Sequence, residues 1–391
     1  MKICDLTQFY SPLSGGVKRY VHEKIAFIQE SRPDAEHVLV IPGERTECAE
    51  RSQSRIYSVA SPLISRRTRY RALVNLRAID EILDREKPDV IECGDPYQVA
   101  WKALAAGRMI GSPAVAFYHS HFPEAYVRNA GRFLGERATG AVMEAARIYV
   151  RNLYNRFAVT LVPSPHLAEI LREWGVANVR TVELGVNTRT FCPRPDDAAK
   201  TRQSLGIASD TIVLLYVGRL AGEKNTQTLL RAFELLRQRA RSPFHLVVIG
   251  DGQQRDTLQA LRAQTGNVTW ISYCADSSEL ARYYRAADLF VHPGVQETFG
   301  LVALESQACG TPVVGIAGSY MDRVILHDQS DWAGENSAPA LAEAIARMSA
   351  RDLSALGLVT ATLASERYAW PQVFDRLFCI YEQVCADYKR P

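Results

Sequence analysis

Short apolar runs alternate with amphipathic stretches along nearly the whole chain. Runs at Lys2–Leu6, Val38–Ile41, Asp89–Glu92, Ala114–Tyr118 and Val159–Val162 predict one series of strands. A second series is predicted at Ile212–Val217, His245–Ile249, Val268–Ile271, Leu289–His292 and Pro312–Ile316. Between them the apolar spacing changes to that of helices. Leu229, Leu230, Phe233 and Leu236 share one helical face, as do Phe374, Leu377, Phe378, Tyr381 and Val384. Strands alternating with helices imply α/β architecture with parallel sheets covered by helices. One break interrupts the order: Phe191-Cys192-Pro193-Arg194-Pro195-Asp196-Asp197, after a short strand predicted at Arg180–Glu183. Its prolines mark a linker. Two doubly wound domains are therefore expected, residues 1–192 and 193–368, and their ligands belong beyond the strands' carboxyl ends.

Composition narrows the class. The chain has 391 residues, 47% of them hydrophobic and 23% charged, which is ordinary globular usage. The uncharged stretch Ser306–Met321 is broken by Gly310, Pro312 and Gly315 and is too short to cross a membrane. Met1–Leu6 has no apolar signal-peptide core. Eight cysteines lie without C-x-x-C or zinc-type spacing, so reduced thiols and a cytoplasmic location are expected. The net charge of +3 divides unevenly. Residues 1–195 carry 27 Lys and Arg against 21 Asp and Glu, and the remainder carries 19 against 22. One half is thus suited to an anionic partner, yet no nucleic-acid motif accompanies the charge.

Five segments carry candidate chemistry. Ser14-Gly15-Gly16-Val17 follows the first strand and precedes a helical pattern, so its glycines allow a backbone to approach an anion. A plain tight turn has the same composition. Val217-Gly218-Arg219-Leu220-Ala221-Gly222-Glu223-Lys224-Asn225 places two cations just beyond an apolar strand, which suits a diphosphate; two solvated surface charges are the bland alternative. In His292–Glu305, a strand leads through a loop into a helix expected to begin near Phe299, whose first turn offers free N–H groups. Glu297 and Glu305 are about 12 Å apart along that rise. They cannot share one reacting atom, but they suit the two ends of a long hydroxylated ligand, or else a cap and a surface acid. Tyr118-His119-Ser120-His121 follows an apolar strand. Histidines at i and i+2 resemble metal ligands, but no partner cluster appears, so no metal is expected. Finally, Arg55–Arg77 holds six arginines and no acid, and Arg128–Arg156 holds six against Glu136 and Glu144, with apolar residues interleaved. Contact with an anionic membrane and simple packing on the sheet both fit such segments.

In this order, these motifs resemble the retaining GT-B glycosyltransferases of family 4. The resemblance is carried by the Gly-Gly loop, Tyr118–His121, Gly218-Arg219 with Glu223-Lys224, and Glu297 through Glu305-Ser306-Gln307-Ala308-Cys309-Gly310-Thr311-Pro312-Val313-Val314. It implies two Rossmann-like domains facing across a cleft, with residues 369–391 crossing back to the first. It also implies a nucleotide-sugar donor, used as a substrate with no cofactor and no metal. Arg219 and Lys224 would bind the diphosphate, and Gly15, Gly16 and Gly218 would approach the donor. Glu297 would contact the sugar, the backbone of Phe299, Gly300 and Leu301 would serve sugar and diphosphate, and Glu305 would hold the ribose. His119, rather than His121, matches the histidine near the reacting carbon. The sequence departs from the family pattern in three places: Asn225 stands for a glycine, Gly318-Ser319-Tyr320-Met321-Asp322 for Gly-Gly-x-x-Glu, and Asn187 for an aspartate.

The expected function is transfer of a sugar from a UDP- or GDP-sugar to an acceptor hydroxyl with retention of configuration. A membrane lipid is the first choice of acceptor, with peripheral attachment to the membrane's inner face. A soluble or lipid-linked glycan, or an epimerase reaction in the same fold, is the alternative. Residues 11–20 lack the G-x-G-x-x-G of a nicotinamide oxidoreductase. No nucleic-acid partner is expected. Sugar, nucleobase, linkage and oligomeric state lie beyond this reading.

Overall fold

The computed structural model describes residues 1–11, 16–64, 69–119, 123, 136–239, 243–295, 299–319 and 323–388. The chain divides into two compact units: Met1–Leu184 with Trp370–Pro391, and Gly185–Ala369.

The first unit is built on a sheet whose strands are β1 (Lys2–Leu6), β2 (Glu36–Gly43), β3 (Glu47–Arg51), β4 (Ser54–Ala60), β5 (Val90–Cys93), β6 (Ala114–Phe117), β7 (Val159–Val162) and β8 (Val179–Thr181). Their spatial order is β3-β4-β2-β1-β5-β6-β7-β8. All neighbours pair in parallel except β3, which runs antiparallel to β4. Central parallel strands are covered on both faces and so read as continuous apolar runs. That explains why the pattern locates them. β3 and β4 escape the pattern. Every residue of β3, Glu-Cys-Ala-Glu-Arg, is exposed, and its charges protect the sheet's edge. In β4 the alternation is half polar, and Arg55 disguises a strand as part of a basic segment.

The second unit carries β9 (Ile212–Val217), β10 (Phe244–Ile249), β11 (Val268–Ile271), β12 (Leu289–His292) and β13 (Val313–Gly315). They form an all-parallel sheet ordered β11-β10-β9-β12-β13. The stripe Leu229, Leu230, Phe233 and Leu236 of the helix Thr226–Arg239 is buried, 3% exposed or less.

Residues 185–192 belong to the second unit, ahead of the proline-rich segment. Val186 pairs with Ala369 and donates its N–H to Tyr368 O at 2.7 Å. The Arg285 guanidinium donates to Cys192 O and to Asp197, both at 2.7 Å. The helix Trp370–Tyr388 belongs to the first unit. Its stripe of Phe374, Leu377, Phe378, Tyr381 and Val384 is buried, and Phe27 of the helix Gly16–Ser31 meets Phe374 at 5.5 Å and Phe378 at 5.6 Å.

Candidate active site

In each sheet the winding reverses at one strand, and loops diverge there at the carboxyl ends. In the second unit this strand is β9, flanked by β10 and β12. Its end is shaped by close backbone packing. Gly218 has φ +156°, and a Cβ there would lie 2.8 Å from the Tyr216 hydroxyl, which itself donates to Arg219 O at 2.9 Å. After β10, Gly250 and Gly252 allow their loop to pack on this one. A Cβ on either would fall within 2.2 Å of the carbonyl oxygen of Gly218 or Leu220. These two glycines escaped sequence reasoning, although a Gly-x-Gly beyond a strand is a usable signal.

Arg219 stands at the surface with its side chain 69% exposed, bonded to Glu223 at 3.0 Å. Gly222–Lys224 forms a single 3-10 turn, and Lys224 is half-buried. Asn225 ends the turn in the left-handed region at φ +55°. This explains why a glycine is common there and why asparagine serves, being the side chain that tolerates that conformation best. Its amide also donates to Pro293 O at 2.8 Å and to Asn336 at 2.7 Å. Asn225 thus ties the loop bearing Arg219 and Lys224 to the loop that leaves β12.

That second loop leads to Gly300, which caps the helix Leu301–Ala308 at φ +91°. The helix begins two residues later than the sequence suggested, because Gly300 is left-handed and cannot continue a helix; Phe299 before it is buried with its ring centroid 6.2 Å from that of Tyr368. Glu305 is 2% exposed and accepts the Tyr284 hydroxyl at 3.0 Å. It is therefore not a surface acid. Tyr284 went unnoticed in the sequence. Gln296, Glu297 and Thr298 lie outside the described residues, as do Tyr320, Met321 and Asp322.

In the first unit the corresponding strand is β1, between β2 and β5. Gly15 lies outside the described residues, and Gly16 is the first residue of its helix. His119 stands two residues beyond β6. Its ring stacks on Phe117, centroids 4.1 Å apart and planes within 2°, and meets Tyr20 at 5.2 Å. Burial, and then the charge of Lys24, push its pKa down to about 3, so the imidazole is neutral at physiological pH. His121 lies outside the described residues.

Beneath His119 runs a buried polar network that sequence reasoning missed. Lys24 is fully buried and donates to Asp5 at 2.9 Å, Glu92 at 3.0 Å and the Tyr381 hydroxyl at 3.1 Å. His37 meets Asp5 at 2.7 Å, and the hydroxyls of Tyr20 and Tyr381 donate to Glu92. Burial opposes the Lys24 charge, but the two carboxylates outweigh it and hold its pKa above the ordinary value. The available signal was an acid directly after an apolar pair inside each of two predicted strands, Lys-Ile-Cys-Asp-Leu and Val-Ile-Glu-Cys.

The basic segments are more neutral in the fold than in the sequence. Arg55 pairs with Glu36 at 2.6 Å and Glu86 at 2.8 Å, Arg71 with Glu44 at 2.7 Å and Arg77 with Glu81 at 3.0 Å. The absence of acids within 55–77 was therefore a poor guide, because the partners come from outside or from the next helical turn. Arg66, Arg67 and residues 124–135 are outside the described residues. In the helix Glu136–Tyr154, Val150, Leu153 and Tyr154 pack in the core, while Val142 and Ile148 are each 42% exposed. Arg147 lies over the Trp174 ring and Arg156 over Trp101. Among the described residues no helix is long and apolar enough to cross a membrane.

Comparison with known proteins agrees with this architecture. Residues 14–190 match the family described as Glycosyltransferase Family 4, and residues 197–355 match Glycosyl transferases group 1. A GDP-mannose-dependent alpha-(1-6)-phosphatidylinositol dimannoside mannosyltransferase of Mycobacterium tuberculosis is 30% identical over 349 residues, covering 88% of this chain and 87% of that protein. A D-inositol 3-phosphate glycosyltransferase of Mycolicibacterium smegmatis is 29% identical, covering 75% and 66%. In structure, a sucrose-phosphate synthase from Thermosynechococcus elongatus superposes with a TM-score of 0.77 at 21% identity over 99% of both chains. Alr3699/HepE of Anabaena, solved with UDP and glucose, gives 0.71 at 18% identity over 98% of this chain and 99% of that one. The chain belongs to glycosyltransferase family 4, the group 1 glycosyltransferases, and has the GT-B fold of two Rossmann-like α/β domains.

Proposed function

We propose that this glycosyltransferase moves a sugar from a GDP- or UDP-sugar to a hydroxyl of a membrane lipid, with retention of configuration and without a metal. The observation that carries the donor half is the junction made by Asn225. It fastens the turn bearing Arg219 and Lys224 to the loop that runs from β12 into the helix Leu301–Ala308. Cleaving a sugar–diphosphate bond places growing negative charge on the leaving oxygen. Two cations and the N–H groups of a helix's first turn stabilise such charge. Arg219 and Lys224 take the diphosphate in this reading, Gly218 and the backbone of Phe299–Leu301 allow its close approach, and Glu305 takes the ribose hydroxyls. Glu297 contacts the sugar hydroxyls and is not a covalent nucleophile. The acceptor attacks on the face the diphosphate leaves, and the departing phosphate oxygen takes its proton. Neutral His119 sits beside the reacting carbon, and Gly15 and Gly16 approach the donor.

Two observations support a lipid acceptor. One similar protein is named for a phosphatidylinositol dimannoside substrate. The first unit also exposes single apolar side chains, Ile64, Val74 and Met109 among them, which are compatible with contact to a lipid surface.

The test is a thermal-shift and turnover screen of GDP-, UDP- and ADP-sugars in EDTA, with and without anionic vesicles. Binding to the folded state raises the melting temperature by mass action. The expected result is stabilisation by one donor and vesicle-dependent release of its nucleoside diphosphate. Turnover independent of vesicles moves the acceptor to soluble glycans. Turnover lost in EDTA and restored by a divalent cation overturns the metal-free reading.

A further inference from the structure

We propose that Tyr20 is a positioning residue for His119 and that the helix Trp370–Tyr388 holds Tyr20 in place, so that a helix remote in sequence sets the orientation of the imidazole. The role given to His119 rests on the transferase reading above.

Packing orients the ring. His119 is half-buried, and among the described residues no group hydrogen-bonds its imidazole. Three walls hold it instead. Phe117, on β6, lies flat against one face. Gly94, the residue after β5, fits tightly beside it: a Cβ there would lie 3.0 Å from His119 Cδ2. Tyr20 is the third, its ring 5.2 Å from His119 and 5.0 Å from Phe117, both edge to face. The first two walls belong to the sheet. Tyr20 is carried by the helix Gly16–Ser31, and its place depends on what packs behind it.

Both ends of Tyr20 lead to the helix Trp370–Tyr388. The residue is 1% exposed. Its ring meets Trp370 at 6.1 Å and Phe374 at 5.8 Å, and those two stack on each other at 4.9 Å. Its hydroxyl donates to Glu92 at 3.0 Å. Glu92 also accepts the Tyr381 hydroxyl and the Lys24 ammonium, and Lys24 Nζ lies 4.5 Å from the centroid of the Tyr20 ring.

Energetics separates this cluster from plain core filling. A buried ion pair adds little net stability over apolar side chains of the same volume, because desolvation offsets the attraction. What a polar network supplies here is one arrangement, since a displaced member would stand unpaired in the core. An apolar side chain at position 20 would fill space yet be free to shift. A displacement of about 1 Å near reacting atoms can cost about 100-fold in rate. The cluster also governs the ring's proton. Among the described residues the charges acting on His119 are Lys24 and Asp5, and burial together with Lys24 outweighs Asp5. Removing the Tyr20 wall admits water and returns the imidazole toward its ordinary titration.

The test compares Tyr20→Leu, Tyr20→Phe and Tyr381→Phe with His37→Gln, which disturbs the same network through Asp5. Release of nucleoside diphosphate from GDP-mannose and UDP-glucose is followed with phosphatidylinositol–phosphatidylcholine vesicles. The His119 ring is followed by NMR of histidine-labelled protein, its resonance identified by its loss in His119→Gln. Tyr20→Leu is expected to lower kcat about 100-fold with donor KM within about twofold. Its His119 resonance then titrates near the ordinary value of about 6.5, and kcat falls with it as the pH drops, whereas the wild-type resonance does not titrate there. Tyr20→Phe, which keeps the ring and loses the hydroxyl, and Tyr381→Phe lose kcat severalfold, again at constant donor KM. His37→Gln melts lower but keeps kcat and the wild-type resonance. Where Tyr20→Leu fails to fold, the two Phe variants decide. Wild-type kcat with an unmoved resonance in the folded Tyr20 and Tyr381 variants overturns the proposal. So does an equal loss of kcat in His37→Gln, which marks a general loss of stability. If the wild type turns over no nucleotide-sugar, the transferase reading fails, while the resonance still decides whether Tyr20 and Tyr381 hold the ring.

Discussion

The two strands at which the sheets' winding reverses share a topology and differ in where they keep their polar groups. β1 and β9 each lie between parallel neighbours with diverging loops. Around β1 the charges are buried: Lys24, Asp5 and Glu92 satisfy one another in the core, and His119 and Asp95 are both driven toward their neutral forms. Around β9 they stand near solvent, with Arg219 largely exposed and Lys224 half-buried on a turn shaped by backbone packing. A charge removed from water must be matched within the fold, so losing one partner is costly. A charge left in water contributes little to stability and is available to a ligand. The buried polar groups of the first unit thus hold its structure, while Arg219 and Lys224 of the second stand apart from its core, unlike the buried Glu305.

The largest expected effect tests the buried side. Lys24→Met leaves Asp5 and Glu92 without their cation and should cost about 3–5 kcal/mol in denaturant unfolding. A change under about 1 kcal/mol would show that the network is no charge trap. On the exposed side, Lys224→Ala should lower turnover at least 100-fold, on the order of 3 kcal/mol of transition-state stabilisation. Its melting curve should shift by no more than about 0.5 kcal/mol. Wild-type turnover in that variant would falsify the diphosphate role.

pH sharpens the contrast within the first unit. The folded pKa of Asp95 is raised from 3.8 to about 7. Its contribution is therefore fully present below the ordinary carboxylate value and is lost as pH rises through 7. His119, lowered from 6.5 to about 3, acts in the opposite sense: its contribution is full above 6.5 and is lost as pH falls toward 3. Asp95→Asn should therefore gain stability relative to wild type between pH 4 and 7, on the order of 4 kcal/mol, and gain no more above that. A pH-independent difference in urea melts would rule out titration of that group. The smallest effect belongs to Asn225. Asn225→Gly keeps the left-handed turn and loses three side-chain hydrogen bonds, one of them accepted from the Thr228 hydroxyl, about 1–2 kcal/mol, whereas Asn225→Ala adds roughly another 1 kcal/mol of backbone strain. Equal melting temperatures for the two variants would show that the φ of +55° carries no strain.

Much of the scaffold was legible because parallel strands packed under helices are mostly apolar. β1, β7, β9, β11 and β12 occupy the residues the pattern marks. β3 and β4 were not legible, since an exposed edge pairs backbone to backbone and places little demand on its side chains. The donor-side candidates were legible because a short loop between a strand and a helix keeps its sequence neighbours together in space: Arg219, Lys224, Gly300 and Leu301 are such residues. Their supports were not. Tyr284 reaches Glu305 across 21 positions, and Asn225 reaches Asn336 across 111.

The sequence by itself determined where the chain turns from strand to helix and which loops bear cations, because those are matters of local periodicity and of neighbours a few residues apart. Only the tertiary structure decided which charges are buried, which arginines are already paired and which histidine is neutral. Lys24 reads as one more charge on an amphipathic helix until Asp5, Glu92 and Tyr381 surround it, Tyr381 from 357 positions away. Whether an ionisable group is charged depends on the water it loses and the partners it gains, and both are set by contacts between distant segments.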